Sequence, residues 1–457
     1  MLVVLAAFGY AGYLLSRLAP IGTAYAAKTL CSGVFVSGRP AATVIDEDIM
    51  AGVHPLLKLV DASVDMPRRL ARASFVGLAA REAVFRPGLG CTLSLGAPDA
   101  ALPAGIGAAS NPPLPQRAAA AVAVAPPPGV DARKLKAAID SAFAEPNPAE
   151  PRRTRAVVVM YRGQVIAERY APGITADMPL LGWSMTKSVT GTLAGVLVKE
   201  GKLEVGTSSL LPGWRANGDV RARITLDELL RMTSGLQFNE DYDDPLSDVA
   251  VMLFTQPDAS GFAANKPLVS PPGTRWRYSS GTTAILARVL HDALGQPEAD
   301  YLQFPRRALF APLGMRTAVF EPDAAGMLAG ASFMYASARD WARFGQFLLQ
   351  DGTWAGKRLL PEGWVRYMTR ATPQAPRQDF GAHLWVKVPE PFNSHLSPAP
   401  ALPPDAFHAA GHEGQFVSVI PSRQLVVVRL GLTRPESAWD HEAFLARVLD
   451  AFPAGGR

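Results

Sequence analysis

A chain of 457 residues, 48% hydrophobic and 19% charged, has the length and apolar content for a large core plus appended segments, which excludes a wholly disordered protein. Its net charge of +5 comes from 45 basic and 40 acidic residues spread along the sequence. With no zinc-spaced Cys/His set, Walker loop or RNA-binding signature, nucleic acid is not an expected partner.

Residues 2–15 are almost purely apolar and Arg17 is the first charge. That length suits a signal-peptide core better than a full membrane span, and Ala24-Tyr25-Ala26 offers a small-x-small cleavage site. No positive residues precede the run, so the alternatives are an uncleaved anchor over residues 1–27 or a true start further upstream. Either way the expected location is the periplasm, free or tethered to the inner membrane through residues 2–26. Cys31 and Cys91 are the only cysteines, and in an exported protein an even pair invites a disulfide. Residues 28–96 read as a small mixed segment, with strands at Val34–Val36 and Ala83–Phe85 and helical patterning around Ile49–Val60. Arg68, Arg69, Arg72, Arg81 and Arg86 form its one dense basic cluster, a solvated face or a surface for anionic lipid. A linker rich in alanine and proline follows at 97–129.

The main domain spans 130–457, and Asp131 can cap a helix running to about Phe143. Two β-rich runs, Arg155–Tyr161 and Gln164–Tyr170, flank a glycine turn at Gly163 and read as an antiparallel hairpin. Next comes Trp183-Ser184-Met185-Thr186-Lys187, opening a helix in which Val189, Leu193, Val196 and Leu197 recur at helical spacing until Gly201. Ser184 and Lys187 stand three apart, on one helix face. A serine hydroxyl needs a base to become a nucleophile, and a lysine serves once burial or positive charge makes its amine neutral. An α/β-hydrolase elbow, G-x-S-x-G, is excluded because Thr186 stands where the second glycine is required.

Downstream, Thr225 and Glu228 form a capping box for a helix through Met232. The acidic stretch Asn239–Asp244, which includes Tyr242, is expected to be a substrate-facing or solvated loop, since its spacing fits no EF-hand and no metal is expected. Pro271–Gly281 is a turn-rich approach to a helix near Thr282, and Tyr278 with Ser280 beyond it could exchange protons with Ser184. Tyr335-x-Ser337 repeats the pattern, but Ser337 and Asp340 read there as a helix cap. Near the end, Gly411 and Gly414 flank His412 at the entrance to a strand, allowing close backbone approach. The runs Phe416–Ile420 and Leu425–Leu430 make another hairpin. A hairpin, a largely helical middle and closing strands together form an α+β pattern.

Ser184-x-x-Lys187, Tyr278-x-Ser280 and His412-x-Gly414, in that order, resemble the three motifs of penicillin-recognising serine hydrolases, nearest to the class C β-lactamase-related branch of esterases, D-amino-acid peptidases and 6-aminohexanoate-dimer hydrolases. Leu230–Leu236, Phe310–Met315 and Ala338–Gly345 are similar too, and the resemblance covers about 131–452. It implies a β-lactamase/transpeptidase-like fold, an antiparallel sheet from both chain ends flanked by helices, plus a helical subdomain. It also implies an acyl-enzyme on Ser184, proton transfer through Lys187 and Tyr278, and an oxyanion hole from the backbone N–H groups of Ser184 and Gln415. His412, Ser280, Gly414 and Tyr242 would line the site, with no cofactor. Two departures weaken a true β-lactamase: Ser280 replaces the frequent asparagine and His412 the lysine. A histidine at its ordinary pKa is mostly neutral at pH 7 and offers an antibiotic carboxylate little charge. The expected function is therefore hydrolysis of small-molecule esters or linear amides. The alternatives are a D,D-peptidase or weak β-lactamase, and a non-turning-over sensor of cell-wall peptides or β-lactams.

Overall fold

The apolar start of the chain extends further into regular structure than its sequence suggests. The computed structural model describes residues 2–96, 102–106, 126–216, 218–295, 298–394, 396, 398 and 401–453, so most of the expected 97–129 linker lies outside the described residues. Helix α1 runs over Leu2–Phe35. It packs across a four-stranded antiparallel sheet of β1 (Val60–Asp65), β2 (Leu70–Phe75), β3 (Leu78–Arg86) and β4 (Gly90–Leu93), in that order. The strand expected at Val34–Val36 is absent: Val34 and Phe35 finish α1, and Val36 follows in a turn. Packing overrides β-propensity there, because Phe35 stacks on Phe85 of β3 at 5.5 Å. The expected helix at Ile49–Val60 is broken into short turns at Ile45–Met50 and Pro55–Leu59, with Val60 already in β1. Among the described residues no helix is long and apolar enough to cross a membrane.

Buried chemistry docks this amino-terminal layer on the rest of the molecule. Cys31 of α1 and Cys91 of β4 form a disulfide, their Cα atoms 6.0 Å apart. The wholly buried carboxylate of Glu321 pairs with Lys28, accepts from the Ser32 hydroxyl at 2.8 Å and accepts from the Cys91 N–H at 2.7 Å. Arg39 and Arg155 converge on Asp48, the Arg39 contact at 2.6 Å. Ala24, Ala26 and Ala27 are buried, so the small-x-small stretch lies inside a packed helix.

Beyond it, Asp131 caps α2 (Ala132–Ala142) by accepting from the N–H groups of Arg133 and Lys134. The expected hairpin forms as β5 (Thr154–Tyr161) and β6 (Gln164–Tyr170). The helical middle includes α3 (Met185–Lys199), α4 (Asp248–Thr255), α5 (Ser280–Leu294) and α6 (Ala338–Leu349). Strands β7 (Phe407–Gly411), β8 (Gln415–Ile420) and β9 (Leu425–Gly431) precede the last helix, α7 (His441–Leu449). The main sheet is antiparallel in the order β7-β8-β9-β5-β6, with Val428 opposite Val158 and Val427 opposite Val159, so both chain ends build it.

Period-2 alternation explains the valine-rich runs. Ala156, Val158 and Met160 join the core containing Met185, Val189 and Trp341, whereas Val157 and Val159 meet Leu135, Ile139 and Phe444 on the other face. A strand buried on both faces has no position for a polar residue, hence Val-Val-Val-Met. Helix α3 is buried along both sides from Met185 to Leu197 and forms the spine between sheet and helical body.

Candidate active site

Ser184 stands where the chain turns from the short strand Leu180–Leu181 into α3. The turn is held in an unusual conformation: Trp183 has φ +46°, which a bulky side chain normally avoids. Its indole N–H donates to Glu413 at 3.0 Å, and its ring meets the edge of His412 at a centroid distance of 5.6 Å. Gly411 of β7 backs onto the turn. A Cβ there would collide with the Gly182 carbonyl and lie 3.2 Å from the Ser184 amide nitrogen, so only glycine lets the strand approach.

One turn along α3, Lys187 is 2% exposed and its ammonium donates to Ser184 Oγ at 2.8 Å. It also donates to Ser280 Oγ and the Ala331 carbonyl, each at 3.0 Å. Burial pulls its pKa down to about 8, opposed by the Glu240 carboxylate. The ammonium also lies 4.9 Å from the centre of the Tyr278 ring. Tyr278 is pushed well above the ordinary phenol range by burial first and Glu240 next, while hydrogen bonding with Ser184 acts the other way. The phenol therefore keeps its proton at neutral pH and suits the role of acid, whereas Lys187 is the group whose proton is within reach.

Ser280 begins α5, next to Ser279, whose side chain caps that helix by accepting from Thr282 N–H. Its N–H and hydroxyl both donate to Glu240, at 2.7 and 2.5 Å, and the Tyr242 hydroxyl donates to the same carboxylate at 2.8 Å. Glu240 thus joins the acidic loop to the Lys187 network, a link not anticipated from the sequence. The loop's other acids mostly satisfy its own turns: Asp241 accepts from Asp243 N–H at 2.9 Å, and Asp244 from Leu246 N–H at 2.9 Å. Glu240 alternates with Tyr242 along that loop, the only sequence signal that it faces inward. Among the described residues no cluster of three His, Cys, Asp or Glu side chains could hold a metal.

His412 lies 5.1 Å from Tyr242, ring centre to ring centre, and its Nδ1 is 2.7 Å from Glu436. Burial disfavours the charged ring, but the hydrogen bond and charge of Glu436, with Glu413 behind, outweigh it and raise the pKa above the ordinary histidine value. The expectation of an unperturbed imidazole is thereby corrected: its pKa is raised. His412 instead sits against the Glu436 carboxylate, which favours its charged form and occupies the face through which the ring could meet a substrate carboxylate.

Gly414 and Gln415 lie on the turn into β8. Glu413 has φ +63° and Gly414 φ +81°, and the buried Arg429 donates to the Glu413 and Gly414 carbonyls at 3.2 and 2.8 Å. The Gln415 side chain turns away from the cleft. Its amide donates to the carbonyls of His412 at 3.0 Å and Gly431 at 2.8 Å, while its oxygen accepts from Gly431 N–H at 3.0 Å. Its backbone stands opposite Gly411, the β7 residue that backs onto the Ser184 turn.

A serine held by a buried lysine at a helix start, between an antiparallel sheet and a helical body, defines a serine hydrolase of the β-lactamase/transpeptidase-like fold. Residues 139–449 match the Beta-lactamase family, and the chain belongs to it. It is 28% identical over 228 residues to 6-aminohexanoate-dimer hydrolase from Paenarthrobacter ureafaciens, a match covering 46% of this chain and 56% of that enzyme, so it spans little more than half of that relative. Among solved structures it resembles a D-stereospecific amidohydrolase from Streptomyces (TM-score 0.51, 20% identity, 71% of this chain and 99% of that one). A second is EstCE1, a hydrolase with promiscuous acyltransferase activity (TM-score 0.53, 17% identity, 70% and 97%). The two structural likenesses speak for the fold.

Proposed function

We propose that the protein hydrolyses esters or linear amides through an acyl-enzyme on Ser184. The observation that carries the proposal is the contact of 2.8 Å between Lys187 Nζ and Ser184 Oγ, made by a lysine whose pKa burial has drawn down to about 8. With Lys187 neutral, the Ser184 proton passes to Nζ as Oγ attacks the carbonyl carbon. Collapse of the tetrahedral intermediate breaks the bond to the alcohol or amine. That leaving group takes a proton from Tyr278, which Lys187 then reprotonates. Water repeats the sequence on the acyl ester, with its proton going to the same pair, and frees the acid and Ser184. The backbone N–H groups of Ser184 and Gln415 are the proposed oxyanion donors, and Ser280 and Tyr242 position the groups around them. The relative named 6-aminohexanoate-dimer hydrolase supports the amide half of the reading. A histidine held against Glu436, where a lysine would offer a free point charge, is the reason to place β-lactams low among substrates.

The test is a fluorophosphonate label mapped by mass spectrometry, with turnover of a nitrophenyl ester, a linear aminohexanoate dimer, a D-Ala-D-Ala peptide and a cephalosporin. Labelling at Ser184 alone, absent in Ser184→Ala, with ester or linear-amide turnover is expected. An adduct elsewhere, or a labelled variant, overturns the assignment. A burst without turnover would turn the reading towards a sensor.

We also propose that the protein acts outside the inner membrane with its amino-terminal segment attached. Cutting after Ala26 would remove Tyr25, whose hydroxyl donates to the Asp48 carbonyl at 2.8 Å. The apolar residues 2–15 extend about 21 Å as a helix, against about 30 Å for a bilayer core, so they tether at the interface instead of spanning it. Fusing residues 1–130 to alkaline phosphatase should give activity in a bacterial host. A fusion active only with a cytoplasmic reporter would remove the basis for export.

A further inference from the structure

The family match begins at residue 139, yet the cleft that contains Ser184 does not stop at family residues. A single cavity of about 1060 Å³ joins Ser184, Tyr242 and His412 to Ile21 and Gly22 of α1, Leu57, Val60 of β1 and Phe75 of β2. That volume is at the upper end of the roughly 300–1,000 Å³ typical of small-molecule sites, and more than a short ester fills. Its polarity is divided by origin. None of the lining residues contributed by 15–75 is an aspartate, glutamate, lysine or arginine. The charged lining groups are Glu240, Asp241, Asp243, Glu413, Arg434 and Glu436, none of them from the amino-terminal layer, although Arg434 reaches across to donate to its Ala51 carbonyl at 2.8 Å. Helix α4, which packs on α1 with Phe254 5.5 Å from the Tyr25 ring, adds Val249, Ala250, Leu253 and Phe254.

We propose that the amino-terminal layer converts a generic hydrolase cleft into one for amphiphilic substrates. The scissile ester or amide lies at Ser184, and an aliphatic chain of the same molecule occupies the apolar gallery between α1, β1, β2 and α4. The chain is the occupant because the gallery is continuous with the reactive serine and its wall, apart from Tyr25 and His54, is lined by apolar side chains and glycines. Acids clustered at the reactive end turn away a free carboxylate and leave a neutral or cationic head group. The disulfide and the Lys28–Glu321 pair keep the wall in place, so the gallery is preformed. This inference rests on Ser184 as the nucleophile, but the presence of the gallery can be tested without turnover.

The test uses the full-length protein and nitrophenyl esters from acetate to decanoate, kept below their micelle concentrations. Each added methylene should raise kcat/KM about two- to fourfold until the gallery is filled, as expected for hydrocarbon leaving water. Gly22→Leu fills the gallery from the wall. A Cβ at Gly22 meets only Leu57, at 3.4 Å, so the backbone tolerates it. The octanoate-to-acetate ratio of kcat/KM should then fall at least tenfold. In parallel, calorimetry measures 1-decanol binding to Ser184→Ala, with and without Gly22→Leu. Binding that is lost in the double variant is the expected result. A flat chain-length profile with Ser184-dependent acetate turnover, or an unchanged ratio in Gly22→Leu, overturns the proposal and leaves the gallery as packing space for this chain's own residues. Decanol binding without Ser184 labelling would sustain the gallery and refute the nucleophile. Labelling without decanol binding would do the reverse.

Discussion

In the proposed mechanism the Lys187 amine is the group on which the chemistry turns, because it must lose a proton before it can take one. With a pKa of about 8, kcat/KM for a neutral ester should rise with pH through that value. Glu240 raises the pKa of Lys187, so Glu240→Gln should move the rising limb to lower pH; a shift to higher pH would show that the carboxylate does not act on the lysine. Lys187 and Tyr278 are expected to work as one unit. Lys187→Ala and Tyr278→Phe should each cost about 10²–10⁴-fold, and the double variant should be barely worse than the poorer single. Fully multiplicative losses would separate their roles. At His412 the sign is set by Glu436: Glu436→Gln removes the leading cause that raises the imidazole pKa, so an NMR titration should find it lower than in the parent.

Among elements, the docking of α1 depends on one buried carboxylate. Glu321→Ala would leave the Lys28 ammonium, 3% exposed as a residue, without its partner, and should destabilise by about 3–5 kcal/mol in chemical denaturation. Lys28→Met combined with Glu321→Leu should recover part of that loss, since no unpaired charge remains. If the double variant were as unstable as the single, the cost would lie in the Ser32 and Cys91 hydrogen bonds and not in the ion pair. The disulfide closes a separation of 60 residues, for which loop-closure entropy allows about 4 kcal/mol as an upper figure.

At the scale of the whole molecule, the amino-terminal layer is part of the hydrolase and not an appendage. Phe254 and Phe333 share a core with Leu30, Cys31 and Ile49, and Arg434 donates to the Ala51 carbonyl at 2.8 Å. Residues 130–457 expressed alone should therefore aggregate or lose activity, because that apolar face and the Glu321 carboxylate would be uncovered. Soluble, active material judged by size-exclusion chromatography and ester turnover would show the layer to be dispensable.

Local pattern was enough for much of this. The β5–β6 hairpin, the Asp131, Thr225 and Ser337 caps and the Ser184–Lys187 spacing depend on residues a few places apart, and those interactions act within the segment that carries them. Order along the chain was also enough to align Ser184, Tyr278 and His412 with three known motifs. Other features depend on groups brought together over long separations. Val34 and Phe35 have strand propensity, but they end a helix because Phe85 waits across the sheet. The pairing of Cys31 with Cys91 required their Cα atoms to meet. Glu240 was one acid among several until the fold set it 2.5 Å from Ser280, and His412 met the carboxylate that raises its pKa only in Glu436, 24 positions later in the sequence. The sequence by itself thus determined which residues are the candidates for the proposed acyl transfer. Tertiary structure alone decided their protonation and the second wall of their cleft, because burial and charge proximity are properties of the space around a side chain and not of its neighbours in the chain.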